Sequence, residues 1–223
     1  MRYAPRMRPT WLAAFLCPLV AAQATAADLR VLVTDQRGQP VADAVVDVLP
    51  PPGSTPPAAP APRTHTVNQV ALTFVPYIEV LRPGDRVVFH NGDRTRHHVY
   101  SFSAAKSFEF MLSPGQSSTP LELERGGVIA VGCNIHDSMI TYLYVSDAPW
   151  SARTAADGVA TLGGVPAGSA YRVRAWQPRL RPGRAPSMQE NVTIAEGTTK
   201  QLDFKLSLLP DSRRQPDRER ARY

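Results

Sequence analysis

Short apolar runs rich in β-branched and aromatic residues recur along this 223-residue chain, and turn residues separate them. Apolar residues at the spacing of an amphipathic helix are nearly absent. Short β-forming runs between turn signals are typical of strands. The sequence therefore predicts an all-β protein, with strands at residues 29–33, 41–49, 67–74, 77–80, 85–91, 97–101, 108–112, 128–133, 141–145, 171–176, 191–194 and 201–206.

A proline-rich segment interrupts this pattern after the second predicted strand. Residues 50–63 contain seven prolines, mixed with Ala, Gly, Ser and Thr. Proline lacks the N–H that a sheet needs and favours an extended, semi-rigid chain, so we expect a linker here. Beyond it, turn signals separate the strands at Pro83-Gly84, Asn91-Gly92, Pro114-Gly115 and Asp157-Gly158, the last being typical of a hairpin.

The first 26 residues have the three parts of a secretory signal peptide. Arg2, Arg6 and Arg8 form a basic start, and residues 11–22 are apolar. Ala24-Thr25-Ala26 then supplies a cleavage site between small residues. The apolar run is short for a bilayer span, so an uncleaved anchor is the less favoured alternative. We expect a mature chain that starts near residue 27 or 28, has no membrane span, and is periplasmic or secreted.

Charge adds little to the functional picture. The formal net charge is +6, and loss of the three signal-peptide arginines leaves 6 − 3 = +3. This is too weakly basic to predict a nucleic-acid partner. Much of the excess lies at the end of the chain, where residues 211–223 hold five arginines and three acidic residues. With no apolar run, residues 209–223 are expected to form a disordered basic tail.

The cysteine count changes when the signal peptide is removed. Of the two cysteines, Cys17 leaves with it, so Cys133 is alone in the mature chain. A single cysteine in an oxidising compartment cannot form an internal disulfide. Either Cys133 is buried and inert or it binds a metal, and its neighbours His136 and Met139 favour the metal.

Cys133, His136 and Met139 fall between two predicted strands, so they share one short loop. His97 and His98 lie on an earlier strand, where adjacent side chains point to opposite faces, so only one of them can reach that loop. One thiolate, two imidazoles and a distant thioether make the ligand set of a blue-copper site. Structural zinc disfavours methionine, and covalent haem needs a second cysteine. The sequence thus predicts one mononuclear type 1 copper ion.

The spacing Cys133-x-x-His136-x-x-Met139 resembles the ligand loop of the small cupredoxins and is most like that of amicyanin. Residues 80–89 resemble the strand that leads to the first copper histidine of that family. At the first copper histidine the family has the sequence His-Asn-Val, whereas this chain has His97-His98-Val99. The resemblance implies that His97 is the ligand, with His98 as its alternative, and that His98 otherwise takes the place of the asparagine that braces the cysteine loop.

The resemblance covers residues 64–147 and implies a cupredoxin Greek-key β-sandwich. Segments 97–103 and 132–137 are more closely similar to plastocyanin-like periplasmic proteins that are often labelled methylamine utilization proteins. In cupredoxins, electrons pass at the exposed edge of the histidine that corresponds to His136. Asn134 and Asp137, together with His98, are candidates to orient the ligands from outside the metal shell.

The flanking segments resemble a different family. Residues 38–45, followed much later by Asp157-Gly158 and residues 165–171, look like the two parts of a carboxypeptidase regulatory-like, prealbumin-type Ig-like domain. Two strands alone are marginal in water, so residues 28–49 need partners. We expect residues 28–49 and 148–208 to form one split sandwich with the cupredoxin inserted in it. The alternative is that residues 28–49 edge the cupredoxin sheet.

These features predict a one-electron carrier rather than an enzyme, because four protein ligands leave no open position for a substrate. His97, Cys133 and His136 would bind copper in a plane, with Met139 weakly axial. The expected partners are redox proteins whose identity the sequence does not give. Two alternatives stay open: a copper-delivery protein with the same ligands, and an adhesion or scaffold module whose Ig-like part does the binding.

Overall fold

In a computed structural model, which describes residues 26–181, 186–211 and 213, the chain forms β-strands and no α-helix. The all-β expectation is therefore confirmed. The predicted signal peptide, except for its last residue, lies outside the described residues, as do residues 212 and 214–223 of the predicted tail. Within the described part, no helix has the length and hydrophobicity to cross a membrane.

The strands in chain order are β1 (Ala26–Asp35), β2 (Val45–Leu49), β3 (Thr64–Gln69), β4 (Phe74–Val75), β5 (Ile78–Leu81), β6 (Arg86–Asn91), β7 (His97–Ser103), β8 (Lys106–Leu112), β9 (Leu121–Glu122), β10 (Gly127–Cys133), β11 (Ile140–Val145), β12 (Trp150–Arg153), β13 (Val159–Pro166), β14 (Gly168–Trp176), β15 (Ser187–Ile194) and β16 (Thr199–Leu206). Strands β9, β12 and β13 were not predicted, since each is short, polar or rich in small residues.

Two predicted strands are interrupted by turns. The run 41–49 becomes a strand only at Val45, because Asp43 has a φ of 60° and turns the chain first. The run 67–74 divides into β3 and β4 around Ala71 and Leu72, whose φ angles are 51° and 55°. Neither turn contains the glycine or asparagine that usually reveals a left-handed conformation in a sequence.

Strands β3 to β11 form a sandwich of two mixed sheets. One sheet has the order β5-β11-β10-β7-β8 and the other β4-β3-β6-β9. The chain crosses between the sheets five times, at β4–β5, β5–β6, β6–β7, β8–β9 and β9–β10, as in a Greek-key sandwich. Alternate residues of both sheets point inward and form a closed apolar core that includes Val67, Phe89, Val99, Ile129, Val131, Cys133, Met139 and Leu143. The metal-ligand candidates thus lie at one end of a well-packed scaffold.

The remaining strands form a second pair of sheets. One has the order β13-β1-β16 and the other β12-β2-β14-β15. Strand β1 pairs in parallel with β16 from Asp28↔Thr199 to Asp35↔Leu206, which joins segments about 170 residues apart in the chain. Within the described residues, β1 and β2 pair only with these late strands. Residues 28–49 therefore do not form an edge of either sheet of the first sandwich.

A buried carboxylate joins the two sandwiches. Asp47 on β2 is fully buried and accepts hydrogen bonds from the hydroxyls of Tyr144 at 2.7 Å and Ser146 at 2.8 Å. It also accepts from Ser151 Oγ at 2.5 Å and pairs with Arg174 Nε at 2.7 Å. A buried charge is costly unless it is paired and hydrogen-bonded, and Asp47 meets both conditions. Apolar contacts among Val45, Ile78, Tyr144 and Trp176 surround this network.

Candidate metal centre

His97 begins β7 and points into the sandwich. Burial alternates along this strand, so His97 and Val99 are fully buried while His98 faces outward. His97 Nδ1 lies 3.7 Å from Cys133 Sγ. His98 instead places its Nε2 2.6 Å from Glu109 Oε1 on β8. The structure therefore places His97, and not His98, beside Cys133.

The other candidate ligands lie on the loop from Cys133 to Met139, between β10 and β11. The backbone N–H of Cys133 donates to the Met139 carbonyl at 3.2 Å, and the N–H of Met139 donates to the His136 carbonyl at 3.0 Å. These bonds join the two ends of the loop. His136 points inward, with its Nδ1 3.8 Å from Cys133 Sγ. Met139 is buried in the same apolar core as Cys133.

Among the described residues, His97, Cys133 and His136 form one group whose candidate donor atoms all lie within 4.8 Å of one another. All three side chains are buried, and the rings of His97 and His136 have their centroids 5.0 Å apart. Metal bonds of about 2.0 Å to nitrogen and about 2.3 Å to sulfur can bridge distances of this size. Two imidazoles and a thiolate therefore fit a metal that accepts both nitrogen and sulfur.

Of the three residues predicted to orient the ligands from outside the metal shell, His98 and Asn134 contact each other and Asp137 does not join them. The backbone N–H of Asn134 donates to the carbonyl of His98 at 3.0 Å, and the Asn134 amide lies 3.4 Å from His98 Nδ1. These two residues thus tie the ligand loop to β7. Asp137 is exposed on the loop. Its side chain makes no hydrogen bond among the described residues.

Asp93 was not among the predicted site residues, yet it contacts a candidate ligand directly. Its Oδ2 lies 2.9 Å from Nε2 of His97, on the ring edge opposite Cys133. Asp93 belongs to the turn after β6, four residues before His97. A polar loop residue at this spacing is common in turns, so only the three-dimensional arrangement distinguishes it.

The electrostatics of the pocket favour a neutral His97 ring. Burial lowers the pKa of His97 below its usual value, and the nearby His136 acts in the same direction. The Asp93 carboxylate opposes this shift, but the net pKa is lowered. A neutral imidazole keeps the lone pair that metal binding requires. The ring is therefore ready to bind a metal without first losing a proton.

The two remaining histidines of the sandwich lie outside this pocket. His65 Nδ1 is 2.6 Å from Glu79 Oε1, and its Nε2 faces Asp85 at 3.3 Å. His90 places Nδ1 2.9 Å from Ser117 Oγ. Both have polar partners of their own, and neither joins the donor group.

Part of this chain is similar to several solved copper proteins. A variant of amicyanin in its Cu(I) form is 16% identical, with 37% of this chain and 82% of the amicyanin chain covered and a TM-score of 0.35. A purple cupredoxin from Nitrosopumilus maritimus is 20% identical, with 36% and 98% covered and a TM-score of 0.33. A copper-containing nitrite reductase from Thermus scotoductus SA-01 is 21% identical, with 52% and 28% covered and a TM-score of 0.35.

No protein-family model matches the sequence, and no curated protein matches it either. The function proposed below rests on the donor atoms and their surroundings.

Proposed function

We propose that this protein is a type 1 copper protein that carries one electron at a time between redox partners. The observation that carries the proposal is the buried donor group, in which Nδ1 of His97 and Nδ1 of His136 lie 3.7 and 3.8 Å from Cys133 Sγ. Two imidazoles and a thiolate with a thioether nearby suit copper in both of its common oxidation states. Zinc would be expected to have a fourth strong ligand in place of Met139.

His97, Cys133 and His136 would hold the ion, and Met139 would be its weak fourth ligand. Copper would supply the one-electron chemistry by changing between Cu(I) and Cu(II). The chain supplies a pocket that is already assembled, because β7 fixes His97 and the closed loop fixes the other ligands. A pocket that changes little between oxidation states keeps the cost of electron transfer low.

His136 is the expected point of electron entry and exit. Cys133 and His97 are 3% and 0% exposed, while His136 is 6% exposed and follows Ile135, an apolar residue that is 48% exposed. An exposed apolar side chain beside the ligand offers a partner protein a contact close to the metal. We infer a redox protein as the partner. A substrate has no place in this account, because the protein ligands fill the site.

The predicted signal peptide and the segments around the candidate ligands support a periplasmic or secreted carrier of the type often labelled methylamine utilization protein. We propose a cupredoxin domain at residues 64–147, joined by the linker at 50–63 and inserted in a split Ig-like domain formed by residues 28–49 and 148–208. The pairing of β1 with β16 and of β2 with β12 and β14 supports this division.

A copper-delivery role shares the same ligands but needs them to be accessible to a receiving protein. The near-complete burial of Cys133 and His97 favours a resident metal over a transferred one. An adhesion or scaffold role of the Ig-like part would leave the donor group without a purpose.

The test is to add Cu(II) to the purified mature protein and to its His97→Ala and His98→Ala variants, and to follow thiolate-to-copper absorption and reversible one-electron cycling. We expect the wild type and His98→Ala to colour and to cycle reversibly. We expect His97→Ala to lose the intense absorption. A His98→Ala variant that loses colour while His97→Ala keeps it would contradict the ligand assignment.

A further inference from the structure

His97 uses both of its ring nitrogens. Nδ1 faces Cys133 Sγ at 3.7 Å, and Nε2 faces Asp93 Oδ2 at 2.9 Å. A nitrogen that binds a metal carries no hydrogen, so the ring hydrogen is then on Nε2, from which it is donated to the Asp93 carboxylate. Asp93 thereby selects the tautomer that leaves Nδ1 free for the metal.

Asp93 is itself held by the backbone around it. Its carboxylate accepts the N–H of Ala71 at 2.6 Å and the N–H of Leu72 at 3.1 Å. Its own N–H donates to Asn91 Oδ1 at 2.9 Å, and only 12% of its side chain is exposed. The carboxylate cannot turn away from His97 without breaking two backbone hydrogen bonds.

The turn that holds Asp93 is unusual for its sequence. Ala71 and Leu72 are the two central residues of the turn from β3 to β4, with φ angles of 51° and 55°. Residues with a Cβ rarely adopt this left-handed conformation, and here two do so in succession. Strained backbone of this kind is typically retained where it serves a functional site. The same carboxylate stabilises the turn and contacts the candidate ligand.

We propose that Asp93 is a positioning residue of the metal centre, which orients His97 and favours oxidised over reduced copper by its negative charge. This inference rests on the proposed function. Cu(II) carries one more positive charge than Cu(I), so a carboxylate in the partly buried surroundings of the site stabilises Cu(II) more. A neutral acceptor at this place could orient the ring but could not supply the charge.

The test compares the reduction potentials of copper-loaded Asp93→Asn and Asp137→Asn in the full mature chain. Both changes remove one carboxylate charge near the ligands, but Asp137 is exposed and does not contact His97. We expect Asp93→Asn to weaken Cu(II) binding by about 10- to 100-fold, as for other partners of a ligating histidine. We expect Cu(I) binding to weaken less. Each tenfold difference between the loss of Cu(II) affinity and the loss of Cu(I) affinity raises the one-electron reduction potential by about 59 mV.

The control variant Asp137→Asn should shift the potential much less. Equal shifts in the two variants would overturn the proposal, since any nearby charge would then serve. A wild-type protein that binds no copper through its thiolate would defeat the proposed function and this inference together. A blue wild type with equal shifts would defeat only the role of Asp93.

Repeating the Asp93→Asn substitution in a second variant separates the effect of Asp93 on the metal from its stabilisation of the turn at Ala71 and Leu72. In Ala71→Gly/Leu72→Gly the left-handed turn no longer strains a side chain, so it depends less on Asp93. We expect Asp93→Asn to raise the potential by a similar amount in this background. A shift that disappears there would show that Asp93 acts only through the turn. Unfolding of Asp93→Asn in both backgrounds would place its role in the fold and would also overturn the proposal.

Discussion

At the scale of single residues, the donor group takes His97 from β7, and it takes Cys133 and His136 from the end of β10 and the loop that follows, where Met139 also lies. His97 is fixed by the pleat of β7, whereas the loop is fixed by the hydrogen bond from Cys133 N–H to the Met139 carbonyl at 3.2 Å. Because this bond joins the two ends of the loop, Cys133 and Met139 are held together before any metal binds. Met139 is therefore held near Cys133 at little additional entropic cost.

Replacement of Met139 tests the proposed axial position. We expect Met139→Leu to keep the blue absorption, because the two imidazoles and the thiolate remain. We expect the reduction potential to rise by on the order of 60 mV, which is a tenfold change in the preference for Cu(I) over Cu(II). Protein-film voltammetry measures this directly. An unchanged potential would show that Met139 serves only to fill the core.

The sequence predicted the candidate ligands better than it predicted what supports them. Cysteine, histidine and methionine are uncommon residue types at a short spacing. Strand parity indicated that only one of the two adjacent histidines can reach the loop, and the family resemblance favoured His97. Asp93 could not be found in this way, because its role depends on where the turn after β6 places it relative to β7. An aspartate in a turn has many ordinary explanations.

At the scale of elements, the turn predicted from Asp157-Gly158 is present between β12 and β13, but these two strands belong to different sheets and do not form the expected hairpin. Gly158 has a φ of 76°, and a Cβ there would lie 2.6 Å from the carbonyl oxygen of Val33. The turn thus needs glycine both for its conformation and for the close approach of β1. Strand breaks at Asp43 and at the turn of Ala71 and Leu72 were missed, because their left-handed residues are not glycine.

Gly158→Ala and Gly38→Ala form a matched pair for this element. Both glycines have a φ of 76°, but nothing lies within 4 Å of the Cβ position at Gly38. We expect Gly38→Ala to lower the free energy of unfolding by about 1 kcal/mol, the cost of the strained conformation. Gly158→Ala should cost about 2 kcal/mol more, because the backbone must also move. Chemical denaturation measures both, and equal losses would show that the close approach to Val33 is relieved cheaply.

At the scale of the whole molecule, the two sandwiches are joined through Asp47. The carboxylate is fully buried on β2. Of its partners in the sandwich of β3 to β11, Tyr144 lies on the last strand and Ser146 directly follows that strand. Arg174, its ionic partner, belongs to β14. A charge network of this kind ties the orientation of one sandwich to the other. Periodicity in the sequence cannot reveal such a network, since Asp47 lies among valines that predict only a buried strand.

Removal of this carboxylate should separate the two halves. We expect Asp47→Ala to cost about 3–5 kcal/mol, because it leaves Arg174 without its buried partner. Tyr144→Phe, which removes one donor, should cost only about 1 kcal/mol. Calorimetry should show one unfolding transition in the wild type and two in Asp47→Ala. A single transition in both proteins would mean that the apolar contacts around Val45 and Trp176 are sufficient to couple the sandwiches.

The most direct test of the proposed type 1 copper site is the visible spectrum of the mature protein after addition of one equivalent of Cu(II). We predict an intense thiolate-to-copper absorption that saturates at one copper per chain and is absent from Cys133→Ser. A colourless wild-type protein, or a Cys133→Ser variant with the same absorption, would contradict it.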